Sequence, residues 1–366
     1  GVLAVTNDDE ANLAIAIAVR LLNPGIPVIA RAEQKSVAAN MASFGTDHII
    51  NPYERFADSL ALAVAAPERF RLIELLTSLP ETPLAEPHQP PHGHWILCGY
   101  GRFGHAVAER LRNTGIRLTI IDPTAGDADH DIIGDGTEAS TLRQAGISEA
   151  RGIVAGSNND INNLSIAVTA HELNPELFVV ARQNQAANNA LFAAYGADFT
   201  VLPSRVIAQE CIALLTAPLL ARFLDRVQQL NETQCRQLVE RLQAACAGLT
   251  PVVWDNRLNA AEAPACWQAL MHGRTIELGS LLADAADRQR RLPVVPLLVE
   301  RGTDYLLLPA DDFTLQAGDQ LLFASPLAAQ RELELTLRNA NELDYVLTGN
   351  DHSGSLLGKL LAGRTA

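Results

Sequence analysis

Residues 1–67 recur without a gap as residues 152–218: each position i pairs with i+151, and 23 of the 67 aligned residues are identical. Whatever this chain folds into must therefore contain one structural unit twice. The strand-like Gly1-Val2-Leu3-Ala4-Val5 aligns with Gly152-Ile153-Val154-Ala155-Gly156, and Asn7, Asp9, Asn12 and Leu13 return as Asn158, Asp160, Asn163 and Leu164. Asn23-Pro24 returns as Asn174-Pro175, Ala30-Arg31 as Ala181-Arg182, Gly45 as Gly196 and Pro52 as Pro203. The second copy follows a segment that the first lacks, beginning near Trp95. The first unit is thus expected to be completed by residues upstream of Gly1 or by another chain.

That preceding segment carries the chemistry. An apolar strand, Trp95-Ile96-Leu97-Cys98, runs into Gly99-Tyr100-Gly101-Arg102-Phe103-Gly104 and then into a helix-like Ala106-Val107-Ala108-Glu109-Arg110-Leu111. This is the strand, glycine turn and helix of a dinucleotide fold. Gly99 permits the tight turn, Gly101 lets backbone approach a phosphate, and Gly104 lets helix pack close on strand. The aligned amides and the helix dipole then favour an anion at the helix N-terminus. The next strand, Leu118 to Ile121, ends at Asp122, 18 residues past Gly104, where an acid accepts hydrogen bonds from ribose hydroxyls and disfavours a 2′-phosphate. An isolated glycine turn of this kind also arises for packing alone; its setting here makes nucleotide binding the expectation.

Strands near 95–98, 117–121, 151–155, 177–181 and 198–202 alternate with helical stretches, which implies a parallel sheet with right-handed crossovers. The fold class expected is α/β: a Rossmann-like doubly wound parallel sheet, present as one half lobe and one complete lobe, followed by a small α+β domain. The half lobe occupies 1–79, a proline-rich linker 80–94 and the complete lobe 95–227. A helical connector at 228–249, the small domain at 250–338 and a tail at 339–366 follow. Residues 222–242 form an amphipathic stretch suited either to a partner subunit or to packing within the chain. In the small domain the strands are Pro251–Trp254, Pro293–Val299, Tyr305–Leu308 and Gln320–Phe323, with Gly318-Asp319 reading as a hairpin turn between the last two. Asp160, at the start of the helix after the third of the lobe's strands listed above, reads as a helix cap or as a ligand.

Composition removes several alternatives. With 28 basic and 42 acidic residues, a net charge of −14 and no basic cluster, nucleic acid and anionic membrane surfaces are poor partners. No apolar run reaches the roughly 18 to 20 residues a membrane helix needs. The five cysteines, Cys98, Cys211, Cys235, Cys246 and Cys266, form no CxxC pair, so neither a disulfide framework nor a structural zinc site is expected, and a reducing cytoplasm is the simplest setting. Lys35 and Lys359 are the two lysines; neither completes a Tyr-x-x-x-Lys pair, and Gly354 to Lys359 fails as a P-loop. His88, His92 and His94 lack flanking acidic or cysteine ligands at a familiar spacing and read as part of a solvated linker rather than as a metal site.

Taken together, these segments resemble the RCK family, the regulators of potassium conductance with TrkA-N and TrkA-C type domains. The likeness rests on Gly99 to Gly104, Asp122, Gly134-Asp135-Gly136-Thr137 with Leu142 and Ala145-Gly146-Ile147, Asn158 to Asn163, Arg182 and Gly196-Ala197-Asp198. In the C-terminal part it rests on Gly273-Arg274-Thr275-Ile276, Leu308-Pro309 and Leu315-Gln316-Ala317-Gly318-Asp319-Gln320-Leu321. Two features depart from the family. Only 12 residues separate Asp122 from Asp135, where a full helix is usual, and two N-lobes precede a single C-lobe.

The resemblance implies a cytoplasmic, non-enzymatic gating module of a potassium channel, binding NAD(H) or another adenine nucleotide (ATP, ADP or AMP). Gly99, Tyr100, Gly101, Arg102, Phe103 and Gly104 would form the phosphate turn, Asp122 would hold the ribose, and Asp135 with Thr137 the nucleoside end. Ser157, Asn158 and Arg182 would complete the site, Arg182 reaching a phosphate, a partner subunit or an ion-pair partner at the strand end. It further implies a homo-oligomer, a dimer building a gating ring, joined to a membrane pore upstream of Gly1 or on a separate subunit. One alternative is a separate nucleotide-binding regulatory subunit of a potassium transporter. Another is an NAD-dependent dehydrogenase, for which His105 and His130 are the nearest acid–base candidates.

Overall fold

The computed structural model describes residues 1–83, 89–124 and 132–350, and of residues 213–216 the backbone alone. Pro87, His88, His130 and the end of the tail from 351 lie outside the described residues, as does most of the short stretch between Asp122 and Asp135. The chain divides into two units, one of Gly1–Phe70 with Glu86–Cys211 and one of Arg71–Ala85 with Ile212–Ala366.

In the first unit the half lobe runs β1 (Val2–Ala4), α1 (Asp9–Leu22), β2 (Val28–Arg31), α2 (Lys35–Ser43), β3 (His48–Ile50) and α3 (Pro52–Ala65), and enters α4 (Pro67–Thr77). Its three strands form a parallel sheet in the order β1-β2-β3. The complete lobe runs β4 (His94–Cys98), α5 (Arg102–Arg112), β5 (Arg117–Asp122), β6 (Ile132–Ile133), α6 (Ala139–Gln144), β7 (Gly152–Ala155), α7 (Asp160–Leu173), β8 (Phe178–Arg182), α8 (Asn189–Tyr195), β9 (Phe199–Val201) and α9 (Pro203–Thr216). Its all-parallel order, β6-β5-β4-β7-β8-β9, is the doubly wound arrangement whose ligand crevice opens at the carboxyl ends of β4 and β7, where the winding reverses. Every residue of β2, β4, β7 and β8 is buried, as expected of strands covered by helices on both faces.

The duplication extends to individual hydrogen bonds. Asn12 Nδ2 donates to the carbonyls of Thr6 and Arg31 while its Oδ1 accepts from Thr6 N; Asn163 makes the same three bonds to Ser157 and Arg182. Asp47 accepts from Val28 N at 2.6 Å, and Asp198 from Val179 N at 2.7 Å. Both copies also break their last helix at a non-helical alanine before proline, Ala66 at φ −147° and Ala217 at φ −145°, because proline disfavours helical geometry in the residue before it.

The two lobes of this unit share a core. Helix α3 lays Tyr53, Phe56, Leu60 and Val64 against Phe103, Val107 and Leu111 of α5, with Trp95 and Phe178 beneath. Phe103 meets Phe56 at 5.7 Å and the edge of Tyr53 at 5.9 Å. Polar contacts rim the seam: Arg110 to Asp58 at 2.5 Å and, between α3 and α9, Arg55 to Glu210 at 2.7 Å.

The second unit contains the end of α4, α10 (Pro218–Arg226), α11 (Glu232–Ala245), β10 (Val252–Arg257), α12 (Pro264–Met271), α13 (Leu278–Leu281), β11 (Val295–Arg301), β12 (Asp304–Leu307), β13 (Gln320–Ser325), α14 (Leu327–Arg338) and α15 (Ala340–Thr348). The strands form an antiparallel sheet in the order β10-β13-β11-β12. Successive β13 side chains face opposite ways: Leu321 and Phe323 join Trp254, Leu333 and Leu337 on one face, Leu322 and Ala324 join Phe223, Leu238 and Leu242 on the other.

Four expectations change. The hairpin joins β11 to β12 through Gly302, with Arg301 opposite Asp304; β12 and β13 are not neighbours. Asp319 at the expected turn instead buries its carboxylate against Arg301, at 2.8 Å from Nε. Residues 340–348 are a helix with Leu343 and Val346 buried, so the C-terminal domain extends past 338. The α4 residues Leu72, Leu75 and Leu76 pack with α10 and α11, which places residues 71–85 with the C-terminal unit rather than with the half lobe. The amphipathic stretch at 222–242 buries its apolar side within this unit.

Candidate functional site

The three glycines of the turn stand in three different settings, two of them constrained and one open. Gly99 stands at φ +95°, a left-handed conformation that favours glycine. A Cβ on Gly104 would lie 2.1 Å from Gly99 O, so helix α5 can approach the turn only without a side chain there. At Gly101, the N-cap of α5, a Cβ would meet nothing within 4 Å. That open side is where a phosphate can approach backbone. No side chain caps α5, whereas Asp8, Asn51 and Asn159 cap α1, α3 and α7. The first-turn amides of α5 and its dipole are therefore left for an anion.

Asp122 lies across the turn, at the end of β5, and its Oδ2 accepts from Tyr100 N at 2.7 Å while Oδ1 accepts from Thr124 N at 2.9 Å. Thr124 Oγ1 also donates to it. The acid is thus fixed beside the turn. Asp135 accepts from Thr137 N at 2.9 Å, and Gly136 between them packs so closely on Cys98 that a Cβ would lie 2.8 Å from Sγ. The Gly134–Thr137 turn consequently sits on the end of β4. Burial first, then the nearby Asp135 charge, pushes the Cys98 thiol up to about 12.

On the β7 side, Gly156 presses on the Phe103 ring, and Gly99 faces the backbone of Gly156 and Ser157. Ser157 N donates to Asn163 Oδ1 at 2.8 Å, and Asn158 Oδ1 accepts from Arg182 Nη1 at 2.8 Å. Arg182 is buried, donates from Nη2 to Tyr53 Oη at 2.9 Å, and lies over the Tyr53 and Phe103 rings at 4.8 and 5.3 Å. Its guanidinium pins the seam and is committed before any ligand arrives; burial pulls its pKa down. Arg102 is different: its side chain is 58% exposed, and Nη2 pairs with Glu33 Oε2 at 3.0 Å.

The structure brings Gly99 to Gly104, Asp122, Asp135, Thr137, Ser157 and Asn158 to the carboxyl ends of neighbouring strands. Asp160 is not the cap of α7; Asn159 is. The Asp160 carboxylate instead gathers Asn184 N, Gln185 N and Asn188 Nδ2 from the next loop. His94 is buried in β4 and bonds Thr119. His105 stacks on Tyr100 at 3.8 Å, with Nδ1 3.1 Å from Gly101 O. Among the described residues no cluster of three or more acidic, histidine or cysteine side chains could hold a metal. Sequence reasoning missed Glu33 and Tyr53, which come from the half lobe; at both positions the repeats differ, Glu33 aligning with Asn184 and Tyr53 with Ser204.

The sheet order, the uncapped glycine turn and the acid at the end of β5 define a Rossmann-type nucleotide-binding lobe. Residues 1–52 and 95–203 match the family model of the TrkA-N domain. Over 150 residues the chain is 30% identical to potassium channel protein 1 of Methanocaldococcus jannaschii, covering 38% of this chain and 45% of that protein. Over 135 residues it is 30% identical to the Trk system potassium uptake protein TrkA homolog of Methanothermobacter thermautotrophicus, covering 34% and 62%. The chain thus spans less than two thirds of these relatives' length. A crystal structure of the GsuK RCK domain is 18% identical, with a TM-score of 0.49 over 92% of this chain and 80% of that one.

Proposed function

We propose that the chain is a cytoplasmic nucleotide-sensing module that gates a potassium channel, or regulates a potassium transporter as a separate subunit. The observation that carries this reading is the open, uncapped N-terminus of α5 at Gly101, with Asp122 fixed beside it. An adenine nucleotide places its phosphates on the α5 amides and its ribose against Asp122, with Asp135 and Thr137 at the nucleoside end. The C-terminal unit acts as the TrkA-C-like lobe, and the module works as a homo-oligomer beside a membrane pore. No helix among the described residues is long and apolar enough to cross a membrane. Names of relatives in both the channel and the transporter classes support the potassium-transport setting.

The nucleotide is bound and not turned over: the histidine next to the turn, His105, is held against Tyr100 and the turn's own carbonyl. Such a ligand shifts a gating equilibrium only by its differential affinity for the two states, about 1.4 kcal/mol for each factor of ten. Thermal shifts with NAD, NADH, NADP, ATP, ADP and AMP test the reading. A ligand at a hundred times its Kd stabilises by about 2.7 kcal/mol. Gly101→Asp is the control, because the added side chain meets open space while its charge repels phosphate. No shift with any nucleotide, or the same shift in the control, sinks the proposal.

A further inference from the structure

We infer that the ion pair between Glu33 and Arg102 is a latch that the nucleotide opens, so that occupancy of the α5 site loosens the seam between the half lobe and the complete lobe. This deepens the proposed function and rests on it. Arg102 is the first residue of α5, at the phosphate end, and its exposed side chain reaches across the seam to Glu33. Glu33 is held firmly from its own side. Its amide donates to the Asp9 carboxylate at 3.0 Å, its carbonyl accepts from Asn51 Nδ2 at 3.2 Å, and its carboxylate also pairs with Arg31. Arg102 is therefore the partner that moves. When Arg102 leaves, Glu33 keeps Arg31, so opening strands no buried charge.

The fold does not need an acid at this position. In the second copy Asn184 occupies it, and that residue's amide makes the same bond, to Asp160. The negative charge at Glu33 is an addition to the shared scaffold, placed where it meets the phosphate turn of the other lobe. A phosphate on the α5 amides brings a competing anion to Arg102, and any binding energy spent on separating the pair appears as negative coupling between nucleotide and seam.

Isothermal titration of the chain with ADP tests the latch in wild type, Glu33→Gln, Arg102→Ala and the double variant. Glu33→Gln is expected to tighten ADP at least about fivefold, the lower end of usual coupling strengths, and to have no effect once Arg102 is alanine. Equal or weaker ADP binding by Glu33→Gln overturns the latch, as does equal tightening in the Arg102→Ala background. Absence of ADP binding in every form overturns the nucleotide reading together with it. Amide exchange of wild-type α3 gives an answer that depends on no variant folding: it should rise when ADP is added, and unchanged or slower exchange overturns the inference.

Discussion

At the residue scale, the three glycines of the turn are unequal. Gly104→Ala drives a Cβ into a backbone oxygen and should cost about 1–3 kcal/mol, as overpacking does, whereas Gly101→Ala should stay within about 0.5 kcal/mol of wild type. Thermal melting of the two variants checks the difference. Asp160 offers a pH test. Burial raises its pKa, but bonds from Asn188, Asn184 and Gln185 outweigh that and hold it below its ordinary 3.8. A carboxylate depressed by folding contributes stability that is present above the unfolded value and lost as pH falls through the folded one. Asp160→Asn should therefore cost roughly 1.5–3 kcal/mol at pH 7, the range for bonds to a charged group. The gap to wild type should narrow in denaturant melts below about pH 4; a gap independent of pH would contradict the assignment. The glycine spacing was legible because two backbone constraints and one open approach fall within six residues. The Asp160 role was not: a helix-start acid looks alike whether it caps its own helix or gathers a later loop.

At the element scale, alternation of strand and helix made parallel pairing readable and the repeat showed that it occurs twice, while the strand order came only from the structure. Asn12 and Asn163 are the braces that hold each copy's first helix to its strands. Removing three backbone bonds from a fully buried site should cost about 1–3 kcal/mol in Asn12→Ala and in Asn163→Ala. The double variant should lose the sum of the two within about 0.5 kcal/mol, which urea melts can read. A large excess over the sum would mean that the lobes are not braced separately. What sequence could not supply was partnership. Nothing in the α3 pattern says that its apolar side meets α5, and β11 lies between β12 and β13 in the sheet although only a turn-rich stretch separates those two in the chain.

For the whole molecule, burial of all five cysteines predicts that the native chain reacts with no more than a trace of an aromatic disulfide reagent at pH 8, and with five equivalents after unfolding. Rapid reaction of any thiol in the native state would show that its element is less well packed than described. Cys98, Cys246 and Cys266 should be the slowest, because burial pushes them up to about 12, about 11 and about 12. The division into units was read only partly from sequence, for the end of α4 and residues 340–348 owe their allegiance to apolar contacts made far along the chain.

The three-stranded sheet has one further property. β7 is flanked on both sides, by β4 and β8, whereas its repeat β1 pairs with β2 alone among the described residues. Its other margin offers a row of main-chain donors and acceptors, a template on which a further extended segment can crystallise in register. A strand laid along it would pair those groups and keep them from edge-to-edge association.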